Sequence, residues 1–365
     1  MRLLGINLEG FRNLESVRLN FEGDRVFFLG PNGQGKTNLL EAIGMSGSLR
    51  SFRKSGLDGL VQEGKKQAQL FFRFSDDFGG EHEILLGFRN KGQKDLELNG
   101  EKITKLRDYL GQFPSVTLSS RDFRLVREGP SDRRKWLDLL LSSSSQEYLD
   151  SLQSYHRALR ERNALLKKGG GVVEFAAFEQ ALARSAVSLQ KLRSSALPEL
   201  AKELASRYRS LSDDLEQASL EYLPNLSELT LEELITQYAL DRERDQLLGS
   251  TRHGPHKDDF KFLLDQRDAR SYASEGQQRG LVLALRLAEF SYLNRALKKI
   301  PLILADDVLG ELDADRKANF KKLLPPQAQV FATGTAYPSD EEKVIWETFL
   351  VSAGTFSNPF PNDII

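Results

Sequence analysis

The first third of the chain contains short runs in which apolar residues are consecutive or alternate with polar ones. Gly, Asn and Asp separate these runs, which is the pattern of strands joined by turns. We therefore expect several short strands here. The predicted strands cover residues 3–8, 16–21, 25–29, 69–74, 83–88 and 116–118.

The pattern changes near Pro130, where apolar residues begin to recur every three or four positions. That spacing places them on one face of an α-helix. The run Lys167-Lys168-Gly169-Gly170-Gly171 interrupts the period as a turn, and a second helical stretch covers about residues 174–211. The two stretches predict an antiparallel helical hairpin.

Strand character returns at residues 260–264, and a long helical stretch follows at about 276–297. Two short apolar runs, 301–305 and 330–333, then have the length and composition of buried strands. The sequence therefore predicts an α/β head. It would be formed by residues 1–128 plus 246–365 and interrupted by a mostly helical arm domain at 129–245.

Composition narrows the class of protein. The 365 residues are enough for two domains of ordinary size. No apolar run approaches the roughly 18 residues of a membrane span, and Glu9 comes too early for the apolar core of a signal peptide. The absence of cysteine excludes disulfides, thiolate metal sites and cysteine nucleophiles. We expect a cytoplasmic protein without a membrane partner.

The clearest chemical motif is a phosphate-binding loop. Residues 30–37 match the pattern of Gly, four residues, Gly, Lys, and Ser or Thr, between an apolar strand and a helix. Glycines allow backbone N–H groups to approach phosphates, the lysine contacts the β and γ oxygens, and the threonine hydroxyl binds magnesium. The sequence predicts ATP and Mg²⁺ as cofactors. The predicted nucleotide-binding residues are Gly30, Asn32, Gly33, Gln34, Gly35, Lys36, Thr37 and Asn38.

A P-loop site also needs a carboxylate at the end of a neighbouring strand. The apolar run 302–305 ends in Asp306 and Asp307. We expect Asp306 to hold magnesium together with Thr37, and Asp307 to act with Lys36 in catalysis, as the base or the water-positioning residue. Taken alone, an apolar run that ends in Asp usually only marks the end of a strand.

A third motif lies between the first two. Ser274, Gly276, Gln277 and Gln278 stand at the start of the long helix, where a hydroxyl and N–H groups suit a γ-phosphate. The simpler interpretation is an ordinary helix cap. The order of P-loop, insert, Ser-x-Gly-Gln and acidic strand favours the functional interpretation, because it is the arrangement of ABC-type ATPase heads.

In such heads the signature of one head completes the nucleotide site of another. This chain has one P-loop and one signature, so we expect a homodimer that forms with ATP. Asp313 would belong to the loop at the dimer interface, and Thr333 stands where such heads carry a γ-phosphate sensor, often a histidine. Thr at that position and Asp rather than Glu at 307 predict slow hydrolysis.

Over nearly its whole length the chain resembles the RecF family of bacterial recombination-mediator proteins, which are SMC-like ABC-type ATPases. Its most specific matching segments are Pro130-Ser131-Asp132-Arg133-Arg134 and Gly254-Pro255-His256-Lys257-Asp258-Asp259. The other matching segments are 10–14, 33–43, 51–53, 251–253 and 274–279.

The resemblance implies a role in DNA repair, recombination and replication, and in the SOS response. It implies ATP-dependent binding of double-stranded DNA near junctions with single-stranded gaps. It further implies help in loading RecA together with mediator partners such as RecR. ATP would close the dimer around the duplex as a clamp. Hydrolysis, slow and stimulated by DNA, would release it.

The sequence gives only local support for DNA, since the formal net charge is -1. The insert is polarised, with an excess of Lys and Arg at 121–168 and of acids at 211–247. A second basic group follows the P-loop helix. Such groups usually form a solvated face, and the resemblance favours DNA contacts. The candidates are Arg50, Arg53, Lys54, Lys65 and Lys66.

The motifs alone leave other classes of P-loop protein open. A transporter-type ABC cassette normally has two glycines in its signature, where this chain has Glu275 and Gly276. A P-loop kinase should lack the Ser-x-Gly-Gln helix, and an SMC-like chromosome-structure ATPase would need a longer arm. His253 and His256 flank a Gly-Pro turn, so we expect hydrogen-bonded turn residues rather than metal ligands.

Overall fold

The computed structural model describes residues 1–53, 59–89, 93–212, 216–226, 229–308, 314–337 and 346–358. The chain divides into two compact units. Met1–Asp122 and Glu289–Ile365 form unit 1, and Phe123–Ala288 forms unit 2. Within the described residues, no helix combines the length and the apolar character that a bilayer span requires.

The first sheet of unit 1 is antiparallel, with strand order β2-β1-β4-β5-β6-β7. Buried residues alternate with half-buried ones along most of β4 and β5, as expected when one face of a sheet is more covered than the other. The strands are β1 (Arg2–Phe11), β2 (Leu14–Asn20), β4 (Gln67–Ser75), β5 (Glu81–Arg89), β6 (Gln93–Leu98) and β7 (Glu101–Lys102).

The second sheet of unit 1 has the order β15-β14-β3-β13-β12-β8, and only β15 is antiparallel to its neighbour. Its strands are β3 (Arg25–Leu29), β8 (Ser115–Ser119), β12 (Leu302–Asp306), β13 (Val330–Gly334), β14 (Glu347–Ser352) and β15 (Thr355–Ser357). Its helices are α1 (Lys36–Ser48) and α10 (Ala314–Leu323).

One hydrophobic cluster joins the two sheets and α1. Phe21 lies at its centre, with its ring centroid 5.0 Å from that of Phe331 and 5.9 Å from that of Phe349. The central strands β3, β12 and β13 are parallel and buried, and they are accordingly rich in apolar residues. The carboxyl ends of β3, β8, β12 and β13 therefore lie at the same edge of a rigid sheet, and the candidate site is built there.

Unit 2 is mostly helical and contains the predicted helical hairpin, α4 and α5. A small antiparallel sheet of order β11-β10-β9 accompanies the helices. The helices are α2 (Arg124–Arg127), α3 (Pro130–Ser144), α4 (Gln146–Lys168), α5 (Val172–Leu211), α6 (Leu231–Leu240), α7 (Arg242–Leu248) and α8 (Ala269–Tyr272). The strands are β9 (Ala218–Leu223), β10 (Asp259–Leu264) and β11 (Arg267–Asp268), and α9 (Glu275–Leu297) begins in this unit.

The family-specific segment that precedes β10 is a buried structural turn. Arg193 donates to Asp258 Oδ2 at 2.7 Å and to the Pro255 carbonyl at 2.8 Å. Arg133 binds both carboxylate oxygens of Asp259, at 2.7 and 2.9 Å. Buried carboxylates need such partners, because an isolated charge inside a protein is strongly unfavourable. The motif therefore holds α3, α5 and β10 together.

His256 is a hydrogen-bonded turn residue, as the sequence predicted. Its Nε2 lies 3.0 Å from the Thr251 carbonyl, which can only accept, and its Nδ1 lies 2.5 Å from the Tyr155 hydroxyl. Nε2 therefore carries the proton and Nδ1 accepts. Burial lowers the pKa of His256 to about 4. His253 makes a longer contact than His256 does, because its Nε2 lies 3.9 Å from Asp241 Oδ2.

The compact units do not follow the predicted boundaries throughout. Residues 246–288, which the sequence placed with the head, pack in unit 2. The reason is that β10 pairs with β9 along its whole length, and α8 packs on β10. The division into an ATPase head and an arm as functional domains stays a prediction.

Candidate nucleotide site

The P-loop has the predicted strand-loop-helix form, since β3 ends at Leu29 and α1 begins at Lys36. Gly35 has φ 112°, and a Cβ there would lie 2.8 Å from Leu14 Cδ2. Only glycine fits this position without strain. The N–H groups of the first turn of α1 have no partner within the helix, which makes this end of the helix suitable for an anion.

Lys36 is held over the loop. Its Nζ donates to the carbonyls of Gly30 and Pro31, at 2.7 and 2.9 Å, and the side chain is buried. These carbonyls satisfy the ammonium group in place of phosphate oxygens. The side chain is therefore already aligned with the loop that a phosphate would occupy.

The C-terminal hairpin supports the loop from outside. Strand β14 lies beside β3, and the β14–β15 turn donates two N–H groups to Gln34. Ala353 N binds the side-chain Oε1 at 2.6 Å, and Gly354 N binds the main-chain carbonyl at 2.9 Å. The side chain of Gln34, predicted to contact nucleotide, thus faces the hairpin. The role of Gln34 in nucleotide binding stays a prediction.

The P-loop helix and the acidic strand meet at Thr37 and Asp306. The Thr37 hydroxyl donates to Asp306 Oδ1 at 2.8 Å. Burial raises the pKa of Asp306, and the hydrogen bond from Thr37 opposes that rise. These two oxygens are the donors that Mg²⁺ prefers in P-loop sites, where phosphate and water supply the other ligands. The residues present therefore fit a magnesium ion.

Thr333 connects the two acids. It is buried, and its hydroxyl lies 3.2 Å from Asp306 Oδ1 and 3.4 Å from Asp307 Oδ1. The same oxygen accepts the backbone N–H of Asp307 at 2.9 Å. Asp307 has φ 55°, a left-handed conformation that this contact helps to fix. The γ-phosphate sensor role stays a prediction, while the observed contacts of Thr333 orient the carboxylates.

A buried carboxylate that the sequence analysis did not identify organises the rim of the loop. Glu41 accepts two hydrogen bonds from Arg12, at 3.0 and 2.6 Å, and one from the Ser51 hydroxyl. Arg53 Nη1 lies 3.6 Å from Glu41 and also donates to Asn38. Spacing could not reveal this cluster, because Arg12 and Glu41 belong to different elements.

Arg53 was predicted to contact DNA, but its guanidinium group is engaged beside the P-loop. Its positive charge even opposes the rise in the pKa of Asp306. The side chain of Asn38 is engaged as well, since its Nδ2 donates to Asn13 Oδ1 at 2.5 Å. Both residues therefore shape the rim of the nucleotide site.

The other predicted DNA contacts differ in environment. Arg50 and Lys66 are exposed, and Lys65 is exposed with its Nζ 3.3 Å from Glu15. Lys54, like Asp313 of the expected dimer loop, lies outside the described residues. DNA binding by this group stays a prediction.

The signature turn begins α9 with a reciprocal cap. Gln277 N donates to Ser274 Oγ at 3.3 Å, and Ser274 N donates to Gln277 Oε1 at 2.6 Å. Ser274 is exposed, so its hydroxyl hydrogen can reach a ligand. The serine thus caps the helix and still faces solvent, and its contact with a nucleotide of a second copy stays a prediction.

Gln278, the last of the predicted signature residues, turns its side chain into the protein, and its role at a nucleotide stays a prediction. Its side chain is buried, and its Nε2 donates to the carbonyls of Ala269 and Ala273, at 3.0 and 3.2 Å. Its Oε1 accepts from Arg127 Nε at 2.7 Å. The residue lies on the inner face of α9, which the local pattern of the motif did not reveal.

Comparison with known proteins identifies the family and the fold of this chain. A family model for the RecF/RecN/SMC N terminal domain matches residues 2–338. The DNA replication and repair protein RecF of Leptospira interrogans is 35% identical over 342 residues, 92% of each chain. The protein of the same name from Nostoc punctiforme is 36% identical over 348 residues, 92% of this chain and 93% of the relative.

Solved structures show the same fold. The recombination mediator protein RecF-ATP in the RecFOR pathway superposes with a TM-score of 0.89 at 32% identity, over 97% of this chain and 96% of that chain. An SmcHead bound to the C-winged helix domain of ScpA shares the fold alone, with a TM-score of 0.56 at 16% identity over 98% of this chain and 96% of that chain. The predicted α/β fold of an ABC-type head is confirmed. The chain belongs to the RecF family, within the wider group of RecF, RecN and SMC-type ATPases.

Proposed function

We propose that this protein binds ATP with magnesium, dimerises on it, and binds duplex DNA in recombinational repair. The contact that carries the proposal is the 2.8 Å hydrogen bond from Thr37 to Asp306, because it joins the P-loop helix to the acidic strand. The relatives support it, since they are named DNA replication and repair proteins. The two solved neighbours are described as RecF-ATP and RecF-ATPrS in the RecFOR pathway.

The residues of unit 1 supply the nucleotide half-site. On binding ATP, the Lys36 ammonium would exchange the carbonyls of Gly30 and Pro31 for β- and γ-phosphate oxygens. Magnesium, held by Thr37 and Asp306, would neutralise phosphate charge. Asp307 would orient the attacking water or accept its proton, and Thr333 would hold Asp307 in place.

The signature turn supplies the other half-site from a second copy. Ser274 is exposed at the start of α9, where its hydroxyl and the N–H groups of the first turn suit the γ-phosphate. Since each chain has one P-loop and one signature, two chains would enclose two nucleotides. Binding of ATP would therefore close the dimer, which would act as a clamp on DNA.

The clamp would bind double-stranded DNA near single-strand gap junctions and promote RecA loading with mediator partners such as RecR. Slow, DNA-stimulated hydrolysis would reset it. The exposed basic residues Arg50, Lys65 and Lys66 are the candidates for phosphate contacts. Such contacts release counterions, so we expect DNA affinity to fall steeply with added salt.

Sedimentation velocity with ATP and magnesium tests the proposal, with and without gapped duplex. We expect the wild type to dimerise with ATP and to bind the duplex as a dimer. Lys36→Met should stay monomeric because it lacks the phosphate ligand, and Ser274→Arg should bind ATP yet stay monomeric. A wild type that remains monomeric with ATP and DNA, or a Ser274→Arg variant that dimerises normally, contradicts the proposal.

A further inference from the structure

Two arginines flank one aromatic ring next to the signature turn. The guanidinium carbons of Arg127 and Arg279 each lie 5.2 Å from the centroid of the Phe123 ring. Glu275 is shared between them, with Oε1 2.8 Å from Arg279 and Oε2 3.6 Å from Arg127. Attraction between a cation and an aromatic face, together with the shared carboxylate, fixes the direction of each guanidinium group.

Arg127 also reaches the backbone of the turn through one buried side chain. Its Nε donates to Gln278 Oε1 at 2.7 Å. The amide nitrogen of Gln278 binds the carbonyls of Ala269 and Ala273, and Ala273 directly precedes Ser274. Gln278 therefore connects Arg127 to the backbone of the residue that precedes the signature serine.

We propose that Arg127 is a positioning residue that sets the signature turn for the nucleotide bound by a second copy of the chain. The inference rests on the proposed function and adds a residue outside the signature motif. Arginine is required because one planar group donates through Nε and lies over the Phe123 ring at the same time. Lysine keeps the charge but cannot do both.

The role predicts an effect on association and not on binding of ATP within one chain. We expect Arg127→Gln to weaken ATP-dependent dimerisation about tenfold, the scale of one lost charge-assisted hydrogen bond. Binding of a fluorescent ATP analogue to the monomer should stay within about twofold of wild type, because the P-loop is unchanged. Arg127→Lys should be impaired nearly as much as Arg127→Gln.

Arg124→Gln is the matched control. Arg124 lies on the same short helix and is similarly exposed, but it pairs with Glu128 at 3.5 Å. This pair is exposed, so its loss should have little effect. Arg124→Gln should therefore dimerise as the wild type does, and the thermal unfolding midpoints of all variants should show that they fold.

Mixing of variants separates action in trans from action within one chain. Lys36→Met alone lacks ATP turnover, and Arg127→Gln alone turns over ATP only to the extent that its weakened dimer forms, but a heterodimer of the two contains one site with an intact P-loop and an intact signature. We expect the equimolar mixture to hydrolyse ATP faster than the sum of the separate proteins.

Three results would overturn the assignment of Arg127. These are normal dimerisation of Arg127→Gln, wild-type behaviour of Arg127→Lys, and a mixture that gains no turnover. If the wild type itself does not dimerise with ATP, the proposed function and this inference are both wrong. If the wild type dimerises with ATP and Arg127→Gln dimerises equally well, only the inference about Arg127 is wrong.

Discussion

At the scale of single residues, Thr333 shows how one hydroxyl can organise a site. It accepts the Asp307 N–H at 2.9 Å and lies within 3.4 Å of both acids. A buried N–H without a partner is unfavourable, so loss of this oxygen should let Asp307 move. Displacement of a water-orienting group by about 1 Å can reduce a rate by about 100-fold.

We therefore predict that Thr333→Val lowers the rate of ATP hydrolysis at least about tenfold, while ATP affinity changes less than about threefold. Thr333→Ser keeps the hydroxyl and should retain most of the activity. Steady-state turnover and titration with an ATP analogue measure the two effects. Equal activity of the Val and Ser variants would show that the hydroxyl is not needed.

His256 makes stability depend on pH. Its folded-state pKa of about 4 lies below the value of about 6.5 for an unfolded chain, because burial disfavours the charged ring. Between these values the unfolded state binds more protons. The stabilisation is therefore complete above about pH 6.5 and is lost as the pH falls towards 4.

The His256 contribution to the free energy of unfolding should be about 2 kcal/mol smaller at pH 5 than at pH 7. Urea unfolding at several pH values tests this in wild type and His256→Gln, which cannot titrate in this range. The variant should show a flatter dependence between pH 7 and 5. Parallel curves for the two proteins would mean that His256 is not the titrating group.

At the scale of elements, the C-terminal hairpin supports the P-loop. Its two-residue turn has positive φ at Ala353 and Gly354, and both N–H groups point to Gln34. Gly30 is held from the same side, since a Cβ there would lie 2.2 Å from the Val351 carbonyl. The hairpin thus restricts how the loop can move.

We predict that Gln34→Ala weakens ATP binding about fivefold, because the hairpin loses one of its two hydrogen bonds to the loop. Ser357→Ala is the control in the hairpin, since Ser357 is exposed and is not a predicted nucleotide contact, and it should stay within about twofold of wild type. Calorimetric titration with ATP and magnesium measures both affinities. If the two variants bind equally well, the hairpin does not position the loop.

The sequence predicted the local parts of this site and missed the distant ones. β3, the P-loop and α1 are consecutive, so the strand, the glycines and the helix start can be recognised from local pattern. Gln34 and Ala353 are 319 positions apart, and no local pattern shows that they meet. The burial of Gln278 could not be predicted for a related reason, since the face that a helix residue buries depends on what packs against it.

At the scale of the whole molecule, the motif order predicted an ABC-type head with an inserted helical segment. The order of strands in the two sheets of unit 1 could not be predicted, because it depends on pairing between distant segments. The packing of 246–288 in unit 2 could not be predicted for the same reason, since it follows from the pairing of β10 with β9. The motif at 254–259, specific to the family, proved to hold unit 2 together.

The central claim is that one chain holds half of each nucleotide site. Native mass spectrometry with magnesium and a non-hydrolysable ATP analogue tests it directly, because it counts chains and nucleotides in the same particle. The account predicts particles of two chains with two nucleotides, and only single chains when the analogue is absent. Single chains that carry one nucleotide at every protein concentration, or dimers that form equally without nucleotide, would contradict it.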